Sequence, residues 1–302
     1  MRQHAPRARH LLVRATVLLG VLALPACGSN TPDGSSPPNT AVSVVASFYP
    51  LVYIAERVGG DRVTVANLTP PGAEPHDLEL SPDQLEQIDS AAVAVVLGEG
   101  FQPSAEKAAA TRSGVTVVAL DTVTAATGPG ATGADPHIWL DPTLLLPVVD
   151  AVEQALSRAD AGSAPRFAAN AAALKADLTG LDTRMESGLA DCRRRVVVTS
   201  HDAFARMAMR YRLTTEGIAG FSPDAEPSPG RLADLAALVR RTGTTTVFTE
   251  DLVSPAVAET LARESGAAVQ VLHTLEGPPA SRDYLSAMDD NLAKLRAALG
   301  CR

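Results

Sequence analysis

The chain of 302 residues has few aromatic residues, few cysteines and no surplus of positive charge. Aromatic residues make up 4% of it, with a single tryptophan, and only three cysteines occur. The formal net charge of −8 argues against a nucleic-acid partner, because phosphates need cationic side chains. The sequence also lacks H-E-x-x-H and any serine or cysteine nucleophile motif, so we do not expect an enzyme.

One apolar run stands out, and it is too short to cross a bilayer. Residues 1–14 carry four arginines and no acid, and "ATVLLGVLALPA" follows. This pattern predicts a signal peptide over residues 1–26. Its end, "LPAC", fits a bacterial lipobox, which predicts cleavage before Cys27, acylation of its thiol and a lipid-anchored protein on the extracytoplasmic face of the cell membrane. The alternative is an ordinary signal peptide followed by an incidental cysteine.

Residues 27–40 are rich in glycine, serine and proline, which is typical of a flexible tether. Removing the signal peptide takes away four positive charges and leaves the remainder near −12. Apart from the acylated Cys27, two cysteines remain, Cys192 and Cys301. In an exported protein such a pair predicts a disulfide, with a joint metal site as the alternative.

Short β-branched runs alternate with helical patterns in two blocks, residues 41–163 and 191–302. Such alternation predicts two Rossmann-like α/β lobes with mainly parallel sheets. Helix starts are indicated at Ser81, Ser228 and Ser254, each followed by proline. The predicted strands cover residues 42–47, 63–68, 92–97, 115–120, 195–200, 245–250 and 267–272.

Residues 164–190 between the blocks predict one long, rigid linking helix. Apolar residues from Phe167 to Leu189 recur at helical spacing, and no proline interrupts the run after Pro165. A hairpin of two helices broken at Gly180 is the alternative.

Three histidines share a setting that favours metal binding. His76 and His137 each follow a proline in a loop, and His201 directly follows a predicted strand. Loops after strand ends are where open α/β sheets gather ligands, so the three imidazoles are expected to converge between the lobes. Imidazole nitrogen suits zinc.

A fourth ligand is expected from the second lobe. Glu276 is favoured, because the turn-forming Gly277-Pro278 places it in a loop; His273, water or another acid are the alternatives. Glu250 and Asp251 follow another strand and could orient a ligand histidine, or they could simply begin the next helix.

Here the chain resembles the metal-binding lipoproteins of bacterial ABC importers for zinc and manganese, the cluster A-I solute-binding proteins. The resemblance covers nearly the whole mature chain. It rests on these segments: "SFYPLVYIAERVGGDRVTVANLTPPGAEPHDLELSP", "DPHIWLDP", "VVTSHDAFARMAMRYRL", "AEPSPGRLADL" and "VFTEDLVSPAVAETLA".

The resemblance implies a metal ion held between two lobes by His76, His137, His201 and Glu276. Histidine at position 201 points to zinc, because manganese-type members tend to have Glu and Asp at the last two positions. One departure is that "TAATGPGATGA", the loop before the second ligand, contains no histidine, whereas many zinc-type members carry a histidine-rich loop there.

The sequence therefore predicts a monomeric lipoprotein that captures Zn²⁺ as transported ligand, with no catalytic cofactor. It would deliver the ion to a membrane permease driven by a cytoplasmic ATPase. A manganese-binding member of the same family and a zinc hydrolase are the alternatives. Nothing beyond surface exposure supports an adhesin.

Overall fold

The structure is a computed structural model that describes residues 41–128, 135–279 and 283–302. The predicted signal peptide, Cys27 and the tether lie outside the described residues, as does part of the loop before His137. Within these ranges, none of the helices combines the length and apolarity needed to cross a membrane.

The first lobe is a four-stranded parallel sheet with helices packed around it. The strands run in the order β2-β1-β3-β4, and Val45 of β1 pairs with Ala66 of β2 and Ala94 of β3. The elements are β1 (Val42–Ala46), α1 (Tyr49–Gly59), β2 (Val63–Asn67), α2 (Pro82–Ser90), β3 (Val93–Val96), α3 (Pro103–Thr111), β4 (Val115–Val118), α4 (Ala119–Thr127) and α5 (Leu145–Ala159).

The helix α6 (Ala164–Leu189) follows, and the second lobe repeats the sheet order of the first. Its strands run β6-β5-β7-β8, again all parallel. Its elements are β5 (Val196–Thr199), α7 (Ala205–Arg210), β6 (Thr214–Gly217), α8 (Pro229–Thr242), β7 (Thr246–Thr249), α9 (Ala256–Ser265), β8 (Ala268–Val271) and α10 (Tyr284–Leu299).

The predicted fold of two α/β lobes and one long helix is confirmed. Seven of the eight strands in the described ranges lie within the predicted runs. Helix α2 begins with a capping box between Ser81 and Gln84. Helix α8 has Ser228 as its N-cap, whereas α9 starts one residue later than predicted, with Pro255 as its N-cap. The sequence did not predict β6, because "TTEG" is short, half polar and ends in glycine.

Helix α6 is continuous through Gly180, so the two-helix hairpin is wrong. The glycine lies within the described helix, and a Cβ added there would come no closer than 3.5 Å to any heavy atom outside the local backbone. Seven apolar side chains of α6 are buried, and they belong to one hydrophobic core that includes residues of both lobes. Because a close-packed core is hard to compress, the core that α6 shares with both lobes makes the connection between them stiff.

A disulfide joins Cys192, just after α6, to Cys301 at the C-terminus. The backbone N–H of Arg194 donates to the carbonyl of Leu299 beside it. Cys192 precedes the first residue of β5, and His201 follows the last residue of β5. The disulfide and His201 therefore lie at opposite ends of this strand.

Replacing both cysteines with serine is expected to lower the free energy of unfolding by about 2–5 kcal/mol. The bond closes a loop with a sequence separation of 109 residues, which restricts the unfolded chain. Urea unfolding of the metal-free protein, with and without reductant, measures the loss. Equal unfolding midpoints for the variant and the oxidised wild type would contradict the expectation.

Candidate metal centre

The four residues predicted as ligands come together between the lobes. One donor atom from each of His76, His137, His201 and Glu276 lies within 4.8 Å of the others. The Glu276 Oε1 atom is 3.8 Å from His76 Nε2, 3.8 Å from His137 Nε2 and 3.7 Å from His201 Nε2. The Nε2 atoms of His137 and His201 are 3.3 Å apart. Each lobe supplies two of the four residues.

These separations suit a small cation with four ligands. A tetrahedral site with bonds of about 2.0–2.2 Å has edges of about 3.3–3.6 Å between ligand atoms, so the four distances given lie within a few tenths of an ångström of that geometry, and all pairs lie within 4.8 Å. His76 Nε2 and Glu276 Oε1 are buried and have no hydrogen-bond partner in the part of the chain that the structure describes. Since buried polar atoms are nearly always paired, two such atoms facing one another fit a bound cation.

His201 is held by Glu250, which directly follows the neighbouring strand β7. Glu250 Oε2 lies 2.5 Å from His201 Nδ1, and its Oε1 accepts the His201 backbone N–H at 3.1 Å. Strands β5 and β7 are adjacent, so their carboxyl ends bring these two side chains together. Burial acts to lower the pKa of His201, but the hydrogen bond to Glu250 and the charges of Glu250 and Glu276 raise it above its ordinary value.

His137 is held in the same way by Asp135, two residues earlier. Asp135 Oδ1 lies 2.7 Å from His137 Nδ1 and accepts the His137 backbone N–H at 3.0 Å. In both pairs the carboxylate fixes Nδ1 and directs Nε2 toward the centre. Burial outweighs the effect of Asp135 and lowers the pKa of His137.

His76 is held least firmly. Glu74 Oε1 accepts its backbone N–H at 3.3 Å, and its ring packs edge-on against Phe101 with centroids 4.4 Å apart. Its side chain is 13% exposed, whereas those of the other three ligand candidates are at most 1% exposed. Burial, reinforced by the charge of Glu276, raises the pKa of Glu74 to about 8. The Glu74 carboxyl is therefore largely protonated, and so uncharged, near pH 7 in the metal-free protein.

The comparisons with known proteins place these residues in a family. The sequence model described as ZnuA, zinc-uptake complex component A, periplasmic, matches residues 44–298. The chain belongs to the ZnuA family. All four candidate ligands and both of their carboxylate partners fall inside the matched range.

Two relatives of this ZnuA family member carry names that refer to zinc. The zinc-binding protein AdcA of Streptococcus pyogenes serotype M6 is 33% identical over 285 residues, covering 84% of this chain and 55% of AdcA. The chain thus spans about half the length of the AdcA proteins that it matches. The high-affinity zinc uptake system protein ZnuA of Bacillus subtilis is 30% identical over 300 residues, covering 92% of this chain and 94% of that protein.

A solved structure supports the same fold. The crystal structure of the Zn(II)-bound ZnuA-like domain of Streptococcus pneumoniae AdcA is similar with a TM-score of 0.72 and 31% identity. The match covers 86% of this chain and 99% of that one.

His273, the alternative fourth ligand, lies outside the centre of this ZnuA family member. Its Nδ1 contacts Asp251 Oδ2, and its Nε2 lies 3.2 Å from the ammonium nitrogen of Lys294. Its backbone exchanges two hydrogen bonds with the Asn291 side chain. A neighbouring cation makes this imidazole a poor metal ligand, and the histidine instead joins β8 to α10.

The ligand loop of His137 is tied to the second lobe through the chain's only tryptophan. The Trp139 indole N–H donates to the carbonyl of Thr274 at 2.7 Å, and the Tyr284 hydroxyl donates to the Trp139 carbonyl at 2.6 Å. The Thr274 hydroxyl in turn donates to Glu276 Oε2 at 3.2 Å. The loops that carry the second and fourth candidate ligands are therefore connected across the cleft.

Sequence reasoning missed Asp135, although a signal was present. The chain repeats an acid-Pro-His motif, "EPH" at 74–76 and "DPH" at 135–137. In both copies the acid accepts the backbone N–H of the histidine two residues later, as short acidic side chains do in turns. The repeat predicts two similarly built ligand loops.

Proposed function

We propose that the chain is the extracytoplasmic substrate-binding lipoprotein of a zinc ABC importer. The observation that carries the proposal is the convergence of three imidazoles and one carboxylate, with two buried ligand atoms that have no hydrogen-bond partner among the described residues. His76, His137, His201 and Glu276 are the proposed ligands. The zinc-named relatives support zinc as the transported ion.

The donor set favours zinc over manganese. Three nitrogens and one oxygen within 4.8 Å of one another suit Zn²⁺, whereas Mn²⁺ is better served by oxygen-rich sites of higher coordination number. Four protein ligands also fill a tetrahedral site, so no position remains for a substrate, and the centre captures the ion without activating water. This argues against the hydrolase alternative.

The rest of the proposed cycle concerns partners outside this chain. Acylated Cys27 anchors the protein to the membrane and the tether of residues 27–40 lets the monomeric body reach the permease. The permease, driven by its ATPase, receives the ion. The stiff α6 argues against wide opening of the lobes, and release then follows from movement of the loop that carries His76.

His76→Ala is expected to weaken zinc binding less than His137→Ala does. The His76 ring is the most exposed of the three, and no carboxylate holds its Nδ1 among the described contacts. We expect the fold-loss of zinc affinity in His76→Ala to be about tenfold smaller than the fold-loss in His137→Ala. The loss should appear mainly as faster dissociation of zinc. Stopped-flow release of Zn²⁺ to a chromogenic chelator measures both rates. Equal losses of zinc affinity in His76→Ala and His137→Ala would contradict the proposal that His76 is the most weakly held ligand.

Zinc uptake in the bacterium that encodes this chain tests the proposed function. Cells lacking the gene are supplied with the wild type, with Cys27→Ala or with His137→Ala plus His201→Ala, and cellular zinc is measured in chelator-treated medium. The wild type is expected to restore zinc content, the double variant to fail and Cys27→Ala to lose the protein from the membrane fraction. Full restoration by the double variant would reject the function.

A further inference from the structure

A buried arginine of the second lobe forms hydrogen bonds to the loop that carries His137 in the first lobe. Arg206 lies in α7 and is only 4% exposed. Its Nε donates to the Asp135 carbonyl oxygen at 2.9 Å, and its Nη2 donates to the same oxygen. The Nε atom also lies 3.5 Å from Asp135 Oδ2. The guanidinium thus contacts both the backbone and the carboxylate of one residue across the cleft.

Asp135 passes this contact on to the proposed zinc ligand. Its Oδ1 binds the backbone N–H and Nδ1 of His137, while its Oδ2 faces Arg206. Arg206, Asp135 and His137 form a continuous polar chain that begins in one lobe and ends at a donor atom of the other.

The buried positive charge of Arg206 requires compensation by neighbouring acidic groups. Burying a guanidinium a few side chains from a cation site is unfavourable unless acids compensate it. The acids whose charges act on it are Asp135, Glu99 and Asp141. Of these, Asp135 makes the direct contact, and Asp135 is also the residue that holds a proposed ligand.

We propose that Arg206 is a positioning residue for zinc capture, one that fixes Asp135, and through it the His137 ring, from the second lobe. This rests on the proposed zinc-binding function. Together with the Trp139–Thr274 bond, it makes His137 a ligand that stays with the lobe carrying His201 and Glu276. Three ligands are then set in place before the ion arrives, and His76 completes the site.

A matched pair of arginines on one helix tests the proposal. Arg210, one turn after Arg206 in α7, pairs with both carboxylate oxygens of Asp182 in α6 at 3.0 and 2.7 Å. Arg206→Met and Arg210→Met are compared in purified full-length protein by chelator competition for Zn²⁺ and by thermal unfolding of the metal-free form. We expect Arg206→Met to weaken zinc binding by about 10-fold or more, the range seen for partners of ligand histidines, and Arg210→Met to change it by less than about twofold.

A double-mutant cycle shows whether Arg206 acts through Asp135. In the Asp135→Ala background, Arg206→Met is expected to change zinc affinity by less than about threefold, because the carboxylate that connects Arg206 to His137 is absent. The visible spectrum of the Co²⁺-loaded protein, which reports ligand geometry, is expected to change in Arg206→Met and not in Arg210→Met. Arg206→Lys keeps the charge and one donor, so it should retain the fold with an affinity loss of about threefold or more.

Equal zinc affinities of Arg206→Met and Arg210→Met would overturn the proposal. So would an undiminished effect of Arg206→Met on zinc affinity in the Asp135→Ala background. If Arg206→Met fails to fold, an unchanged zinc affinity of Arg206→Lys would overturn it. Each of these leaves zinc binding by the wild type intact. Failure of the wild type itself to bind zinc tightly would instead reject the proposed function, so the two failures are distinguishable.

Discussion

Replacing His201 with alanine is expected to weaken zinc binding by about 10²–10³-fold. Four-ligand zinc sites bind with about 10–16 kcal/mol in total, so one ligand accounts for roughly 3–4 kcal/mol. The substitution also leaves Glu250 buried, at 4% exposure, without its imidazole partner. Competition against a chelator of known affinity, on metal-stripped protein, measures the loss.

His273→Ala is the matched control for this experiment. His273 follows β8 in the same lobe, but its ring contacts Asp251 and Lys294 and not the centre. Its replacement should leave zinc affinity within about twofold of the wild type, because the described contacts of its ring are to Asp251 and Lys294 and its backbone stays bonded to Asn291. If His273→Ala weakened binding as much as His201→Ala, the assignment of ligands would be wrong.

Zinc affinity is expected to fall steeply as the pH is lowered from 8 to 5.5. Burial is outweighed by the hydrogen bond to Glu250 and the charges of Glu250 and Glu276, which raise the pKa of His201, so in the metal-free protein this ring takes up a proton at a higher pH than an ordinary histidine does. The pKa of His137 is lowered by burial, so that ring is already neutral. Zinc must displace the His201 proton, and below the raised pKa each unit of pH therefore weakens binding by about tenfold. Above that pKa the dependence should level off.

Titration calorimetry at pH 6 in two buffers of different ionisation enthalpy counts the protons released. We expect about one proton per Zn²⁺. Glu250→Gln removes the charge that raises the pKa of His201, so its profile should shift to lower pH, although its affinity at pH 8 should also fall because the ring is less firmly oriented. Zinc binding without proton release at pH 6, or an unshifted profile in Glu250→Gln, would contradict this account.

The sequence predicted the fold well because the buried strands are short β-branched runs with clear ends. Val93–Val96 is fully buried and the helices after Ser81 and Ser228 carry strong start signals. Strand β6 was missed because its residues are held by pairing with β5 and not by their own apolar pattern.

The candidate ligands were predictable because each lies on its own loop at the end of a strand or in a proline-fixed turn. Their partners were harder to find. Glu250 was suspected from its place after β7, but the contact between Arg206 and Asp135 joins residues 71 positions apart in different lobes. No periodicity in "HDAFARMAMRY" shows that Arg206 points into the cleft, because that depends on how the lobes pack across α6.

The most direct test of the account is a competition titration of metal-stripped protein, beginning at Gly28, against Zn²⁺ and Mn²⁺. We expect one tight Zn²⁺ site per chain and Mn²⁺ binding weaker by orders of magnitude, because three converging imidazoles and one carboxylate suit zinc. Equal or tighter binding of Mn²⁺ would contradict the zinc assignment while keeping the family. Absence of any tight metal binding would contradict the centre itself.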